Sequence, residues 1–126
     1  MTAIPFESLV PLVHVRNVPA SIAFYERLGY TVAYSYKADN EKELSWAFLK
    51  SGGASMMLGL ATAPVAAAQQ SIVPAMYVTD VDAKHRELTA AGVTVGPVEK
   101  PFFRPQGQFR VQDPDGYVIL VQSPAR

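Results

Sequence analysis

Two histidines, eleven carboxylates and no cysteine bound the chemistry open to this 126-residue chain. Without thiols there is no disulfide, no thiolate metal site and no cysteine nucleophile. His14 lies in an apolar run, Leu9 to Val15. An imidazole there could act as a general base, because it titrates near neutrality. No second acid or nucleophile is identifiable beside it, so the polar-handle reading is the simpler one, and a local hydrogen bond in a half-exposed strand is simpler still. His85 falls on the buried stripe of a helix, which predicts a structural role. Asp113-Pro-Asp-Gly116 offers two carboxylates, but their spacing is that of a tight turn. Pro101-Phe-Phe-Arg-Pro105 places two aromatics and a guanidinium in a Pro-bounded loop. Loops lie at the surface, so Phe102, Phe103 and Arg104 are candidates to cap a groove, with Arg104 as anion or π partner. Packing at a subunit interface is the competing reading for all three. Tyr34, Tyr36, Trp46 and Phe48 alternate on two strands, where aromatics are usually core.

The elements that must position these groups repeat. Position n resembles position n + 63: Val15-Arg-Asn-Val-Pro-Ala20 falls on Val78-Thr-Asp-Val-Asp-Ala83, Gly29-Tyr-Thr-Val32 on Gly92-Val-Thr-Val95, and Gly53 on Gly116. Each half reads as strand, helix, then three strands. In the first half, Leu9 to Val15 is an apolar β-branched strand. Asn17 caps a helix that tolerates Pro19 in its first turn, carries the stripe Ile22, Tyr25 and Leu28, and stops at Gly29. Strands follow at Tyr30 to Tyr36, Leu44 to Lys50 and Ser55 to Leu60, the last two joined by a Ser51-Gly-Gly53 turn. In the second half the strands are Ile72 to Val78, Val93 to Val98, Phe109 to Gln112 and Tyr117 to Gln122. Asp80 caps the helix, with Val81, Leu88 and Ala91 on its stripe. This organisation predicts a single α+β domain over 1–126, with βαβββ modules at about 7–60 and 72–123 and a linker at 61–71. A helix covers one face of each sheet, so the simplest arrangement has the open faces line a shared groove or barrel, often with a second chain.

Bulk composition removes several classes. The chain is 49% apolar and 17% charged, which is globular rather than disordered. Formal net charge is zero, so nothing holds a phosphate backbone and no nucleic-acid partner is expected. No apolar run is long enough to span a membrane. Met1 to Glu7 lacks a basic region followed by an apolar run, so no signal peptide is expected, and the lack of cysteine suits a cytoplasmic location.

The segment Val15-Arg-Asn-Val-Pro-Ala-Ser-Ile-Ala-Phe-Tyr-Glu-Arg-Leu-Gly-Tyr30 resembles the first helix region of the vicinal oxygen chelate superfamily, which includes glyoxalase I, extradiol dioxygenases and bleomycin-resistance proteins. Val78-Thr-Asp-Val-Asp82 with Ala90-Ala-Gly-Val93 is similar to the matching second-module segment, and Phe109 to Tyr117 to the closing hairpin. Through that resemblance, the four metal-ligand positions of metal-dependent members fall on Val10, Met57, Val73 and Leu120. The repeat pairs them independently, Val10 with Val73 and Met57 with Leu120. None is a ligand for Ni, Zn or Fe, and a thioether suits mainly Cu(I).

The resemblance is closest to the metal-free bleomycin-resistance group, which binds a drug without catalysis and exchanges its first strand in a dimer. Ser8-Leu-Val-Pro-Leu12 is similar to the start of such proteins, and Pro11 suits an exchanged strand. The stretch Phe103 to Phe109 departs from that group's pattern. If Val10 faces the groove, alternation brings His14 and its repeat partner Tyr77 there too. The expected ligand-binding set is His14, Tyr34, Tyr36, Trp46, Met57, Tyr77, Phe102, Phe103, Arg104, Arg110 and Leu120. Trp46 enters it although its alignment with Phe109 suggests packing under a helix. No groove candidate is Asp or Glu, which points to a neutral or anionic ligand. The expectation is a cofactor-free, metal-free homodimer that sequesters a small drug or toxin. The alternatives are a glyoxalase- or lyase-like enzyme with His14 or Arg110 as polar actor, and a partner or regulatory module.

Overall fold

The computed structural model describes residues 2–124; Met1 and the last two positions of the expected 1–126 domain lie outside them. The chain forms β1 (Leu12–Val15), α1 (Val18–Leu28), β2 (Thr31–Tyr36), β3 (Trp46–Ser51), β4 (Ala54–Leu60), β5 (Ala75–Tyr77), α2 (Val81–Ala90), β6 (Gln108–Gln112) and β7 (Val118–Gln122), with a short 3₁₀ turn at Ala67–Gln69. The strands make two mixed sheets, ordered β1-β4-β3-β2 and β5-β7-β6. In each, the first strand of the module runs parallel to its last.

Local chemistry explains the helix ends. Asn17 and Asp80 accept through Oδ1 from Ala20 N (3.0 Å) and Ala83 N (2.9 Å), meeting one orphan donor of each first turn. Gly29 closes α1 with φ +111°, a left-handed conformation that a side chain would strain. α2 instead ends on Ala91, and Gly92 takes the left-handed conformation one position later. Ala91 is exposed and lies off the stripe expected for it, whereas Val81 and Leu88 are buried.

The expected strands shorten for a shared reason. Pro11 and Pro74 have no N–H to extend a ladder, so β1 begins at Leu12 rather than Leu9 and β5 at Ala75 rather than Ile72. Both prolines still accept: Met57 N bonds Pro11 O (2.8 Å) and Leu120 N bonds Pro74 O (2.9 Å). The two prolines and their two donors are themselves repeat partners. Val93 to Val98, expected as a strand, is a correction. It makes one isolated bridge, Val95 with Val111, and a second, Glu99 with Gln108, follows just past its end. Pro97 sits between them without a donor, and the register slips by one residue across it. The second sheet therefore has three strands.

A continuous apolar cluster joins the halves. It takes Val15, Ala47, Leu49, Met56 and Leu58 from the first sheet and Phe109, Val111, Ile119 and Val121 from the second, with Tyr25 and Leu28 of α1 and Leu88 of α2. Polar bonds tie the halves at one end. Tyr25 Oη donates to Asp113 Oδ2 (2.9 Å), and Arg16 donates through its backbone N (3.0 Å) and Nη1 (3.1 Å) to Asp115 Oδ1. The Asp113–Gly116 segment is a turn, as expected, with Asp113 Oδ1 accepting from Asp115 N and Tyr117 N.

Candidate functional site

Alternation along the strands leaves each sheet an open face. Hydrogen-bonded register then assembles that face row by row. On the first sheet, Tyr34, Phe48, Met57 and Leu12 lie abreast, and beside them Tyr36, Trp46, Gly59 and His14. A third row holds Thr31, Lys50 and Ser55. The second sheet carries Ala75, Leu120 and Arg110 in one row and Tyr77, Gln122 and Gln108 in the next. Alternating with these residues come core members: Val15 on β1, Ala47 and Leu49 on β3, Phe109 and Val111 on β6.

The structure corrects Trp46. Alignment at n + 63 set it on Phe109, which is fully buried, and so under a helix. Met57 and Leu120 fix the true correspondence: Phe48 stands opposite Met57, and Arg110 opposite Leu120. In this strand the offset is one residue shorter, because the Asp113–Tyr117 loop is longer than the Gly52-Gly53 turn. Trp46 thus corresponds to Gln108, and Trp46 and Phe48 are half-buried on the open face. Their rings lie 6.3 Å apart, with Tyr34 edge-on to Phe48 at 5.8 Å.

The candidate residues therefore fall into three groups. His14, Tyr34, Tyr36, Trp46 and Met57 share the first open face; Tyr77, Arg110 and Leu120 share the second. Tyr34, Tyr36 and Tyr77 are each more than half exposed, at 66%, 59% and 57%. The core faces of both sheets join one cluster, so the open faces turn away from it and neither covers the other. Phe102, Phe103 and Arg104 form the third group. The phenyl rings meet edge-on at 5.3 Å and are exposed. Arg104 folds back, its Nη1 donating to Ser123 O at 2.7 Å, while Nε is buried without a partner among the described residues.

Arg104 and Phe103 line a recess of about 500 Å³ with Thr79, Gln106 and Ser123. A recess of about 400 Å³ lies at the repeat-related place in the first half, lined by Arg16, Asn17, Glu41, Lys42 and Leu60 among others. The sequence signalled the Arg104 loop and missed this counterpart, which is rich in charge and lacks aromatics. Neither lining includes a residue of the open-face rows.

The positions that hold metal in metal-dependent relatives do not fit an ion here. In register with Met57 stands Leu12, not Val10, and with Leu120 stands Ala75, not Val73, since the proline-shortened strands begin there. All six side chains lack a hard donor, and among the described residues no three His, Cys, Asp or Glu side chains converge. His85 is structural, as expected: its Nε2 bonds Gly96 O (2.8 Å) and its ring stacks edge-on upon Phe109 at 4.9 Å.

Electrostatics concentrates elsewhere. Burial pushes the Tyr25 hydroxyl well up, and the adjacent Asp113 carboxylate pushes it further. Burial also raises the Asp113 carboxyl, against the lowering effect of bonds from Tyr117 N, Tyr25 Oη and Asp115 N. These groups serve the join between halves. The open faces hold Lys50, Arg110 and His14 and no carboxylate.

The fold has solved counterparts. A bleomycin-binding protein complexed with bleomycin superposes with a TM-score of 0.75 at 16% identity, over 94% of this chain and 99% of that one. The bleomycin-binding protein of Streptomyces verticillus, complexed with copper(II)-bleomycin, gives 0.74 at 20%, over 97% and 99%. TnmS3, an antibiotic binding protein from Streptomyces sp. CB03234, gives 0.72 at 21%, over 98% and 100%. At such identities the likeness shows the fold alone. No curated protein matches the chain. The family model described as Glyoxalase/Bleomycin resistance protein/Dioxygenase superfamily matches residues 9–121, nearly the whole chain with both sheets and both helices, and the chain belongs to that superfamily.

Proposed function

We propose that this chain is a metal-free homodimer that binds a small, partly aromatic molecule between its open sheet faces and releases it unchanged, as in sequestration of a drug or toxin. One observation carries the reading. Both sheets give their core faces to a shared cluster, so the aromatic open face of the first and the more polar open face of the second are left largely uncovered within one chain. A second copy could set the first sheet of one chain against the second sheet of the other, enclosing a groove of the kind that takes small molecules. The extended segment before β1 supports this arrangement, since Ile4, Phe6 and Leu9 are each almost fully exposed. It could cross to the partner, with Pro11 as the hinge of an exchanged strand.

The ligand would be neutral or anionic, because the rows carry cations and no carboxylate. In such a groove His14, Tyr77 and Arg110 would supply the polar contacts, Tyr34, Tyr36 and Trp46 stacking, and Met57 and Leu120 an apolar floor. Phe102, Phe103 and Arg104 would act at the rim or at the subunit interface. The reading has the protein work in the cytoplasm, which a chain without cysteine suits.

Sedimentation together with thermal-shift screening of antibiotics and aromatic metabolites tests it. A dimer, a stabilising ligand recovered unchanged and no bound metal are expected. Stoichiometric Zn, Ni or Fe in the purified protein, or a ligand returned chemically altered, would sink the binding reading in favour of an enzyme.

A further inference from the structure

We infer that Gly59 and Tyr117 are positioning residues, which lay His14 across the first open face as a hydrogen-bonding handle for a flat aromatic ligand bearing a polar atom on its rim. The inference rests on the proposed binding role and adds to it a ligand chemistry.

Gly59 faces His14 on one side and Trp46 on the other. A Cβ at Gly59 would stand 3.3 Å from His14 Cδ2 and from Leu12 Cδ1, and 3.8 Å from His14 Nε2. The Cδ2–Nε2 edge of the imidazole thus lies down on the Gly59 backbone, toward the row that continues through Trp46 and Tyr36. Any other residue at 59 would lift that edge by some tenths of an ångström. The glycine is not required by its backbone conformation, since Gly59 is not among the residues with positive φ.

The backbone of His14 is held from the other half of the molecule. Tyr117 Oη donates to His14 O at 2.9 Å. Two residues on, Arg16 N donates to Oδ1 of Asp115, two positions before Tyr117. Among the described residues no protein group bonds the imidazole of His14, whereas His85 bonds Gly96 O. An imidazole that lies against Gly59, on a backbone anchored by Tyr117 and without a protein partner of its own, is open to a ligand's polar atom. A flat ligand stacked over Trp46 or Tyr36 would present its rim to Nε2. A hydroxyl on that rim could donate or accept, whichever tautomer His14 takes.

Equilibrium dialysis of the full chain with 2-naphthol and with naphthalene separates the handle from the apolar surface, since the probes differ by one hydroxyl. The wild type should prefer 2-naphthol by about fivefold, the effect of one net hydrogen bond. Gly59→Ala and His14→Ala should each abolish that preference, bringing 2-naphthol down to the affinity that the same variant shows for naphthalene. Tyr117→Phe approaches the same geometry from the other half and should reduce the preference. A wild type without preference, or a full preference retained in both Gly59→Ala and Tyr117→Phe, overturns the inference. Equal weakening of both probes in the variants overturns it too, as that marks a merely structural role. Failure of the wild type to bind either probe would instead overturn the binding role itself.

Discussion

The two halves share one plan and spend their open faces differently. The first sheet has four strands and a floor of Tyr34, Tyr36, Trp46 and Phe48. The second has three, and the corresponding surface carries Arg110, Gln108 and Tyr77. Phe48 corresponds to Arg110 and Trp46 to Gln108, so an aromatic in one half stands where a polar or charged group stands in the other. The core faces stay alike: Leu58 and Val121, which are repeat partners, are both buried. Packing constrains the inner face of each sheet, and the outer face was free to diverge. A ligand held between such faces would be stacked from one side and hydrogen-bonded from the other.

The comparison can be broken at the core. Leu58→Ala should cost about 2–5 kcal/mol, the range for large-to-small changes in a packed interior. Its partner Val121→Ala should cost somewhat less, having fewer atoms to lose. Each variant should still melt in one transition, because the cluster is continuous. Two separated transitions by calorimetry would show the halves to be independent.

At the join, Tyr25→Phe removes the hydroxyl bonded to buried Asp113. The expected loss is about 1–3 kcal/mol by urea denaturation, since a buried carboxyl loses a donor. A change near zero would mean that water replaces it.

The helix caps offer a matched test of the repeat. Asn17→Ala and Asp80→Ala should each cost about 1 kcal/mol, because both caps make the same bond to the third residue on. Unequal losses would show that the two helices depend differently on their neighbours.

The smallest effect concerns pH. The Asp113 carboxyl is raised in the folded state, chiefly by burial. The folded chain therefore holds this proton more tightly than the unfolded one, and the site's contribution to stability grows as pH falls through the carboxylate range. Wild type should gain in Tm relative to Asp113→Asn between neutral pH and about pH 4. A difference that is flat or reversed would remove Asp113 as its source.

Much of this architecture was legible in the sequence for identifiable reasons. Asn17, Gly29, Asp80 and the 113–116 turn announce themselves through side-chain and backbone preferences that act over three or four residues. The repeat carried those signals from one half to the other. It misled at Trp46, because one extra residue in a hairpin loop flips every side chain of the strand before it, and a gapless alignment cannot register that. Val93 to Val98 reads as a strand by composition; a single proline and the one-residue slip around it limit the segment to one isolated bridge. Which faces are open was partly readable from alternation. That they diverge from one core was not, since it depends on how the modules pack. The meeting of His14 with Gly59 depends on a parallel pairing between segments 45 residues apart, which no local pattern encodes.

Trp46 is the chain's single tryptophan and is half-buried on the open face of the first sheet. The molecule thus carries one indole chromophore, and it stands on the surface proposed to hold the ligand. Its emission colour and its quenching would report local polarity there without labelling, and the other half contributes no indole signal. Solvent entry, closure by a second copy and arrival of an aromatic guest should each leave a different optical trace.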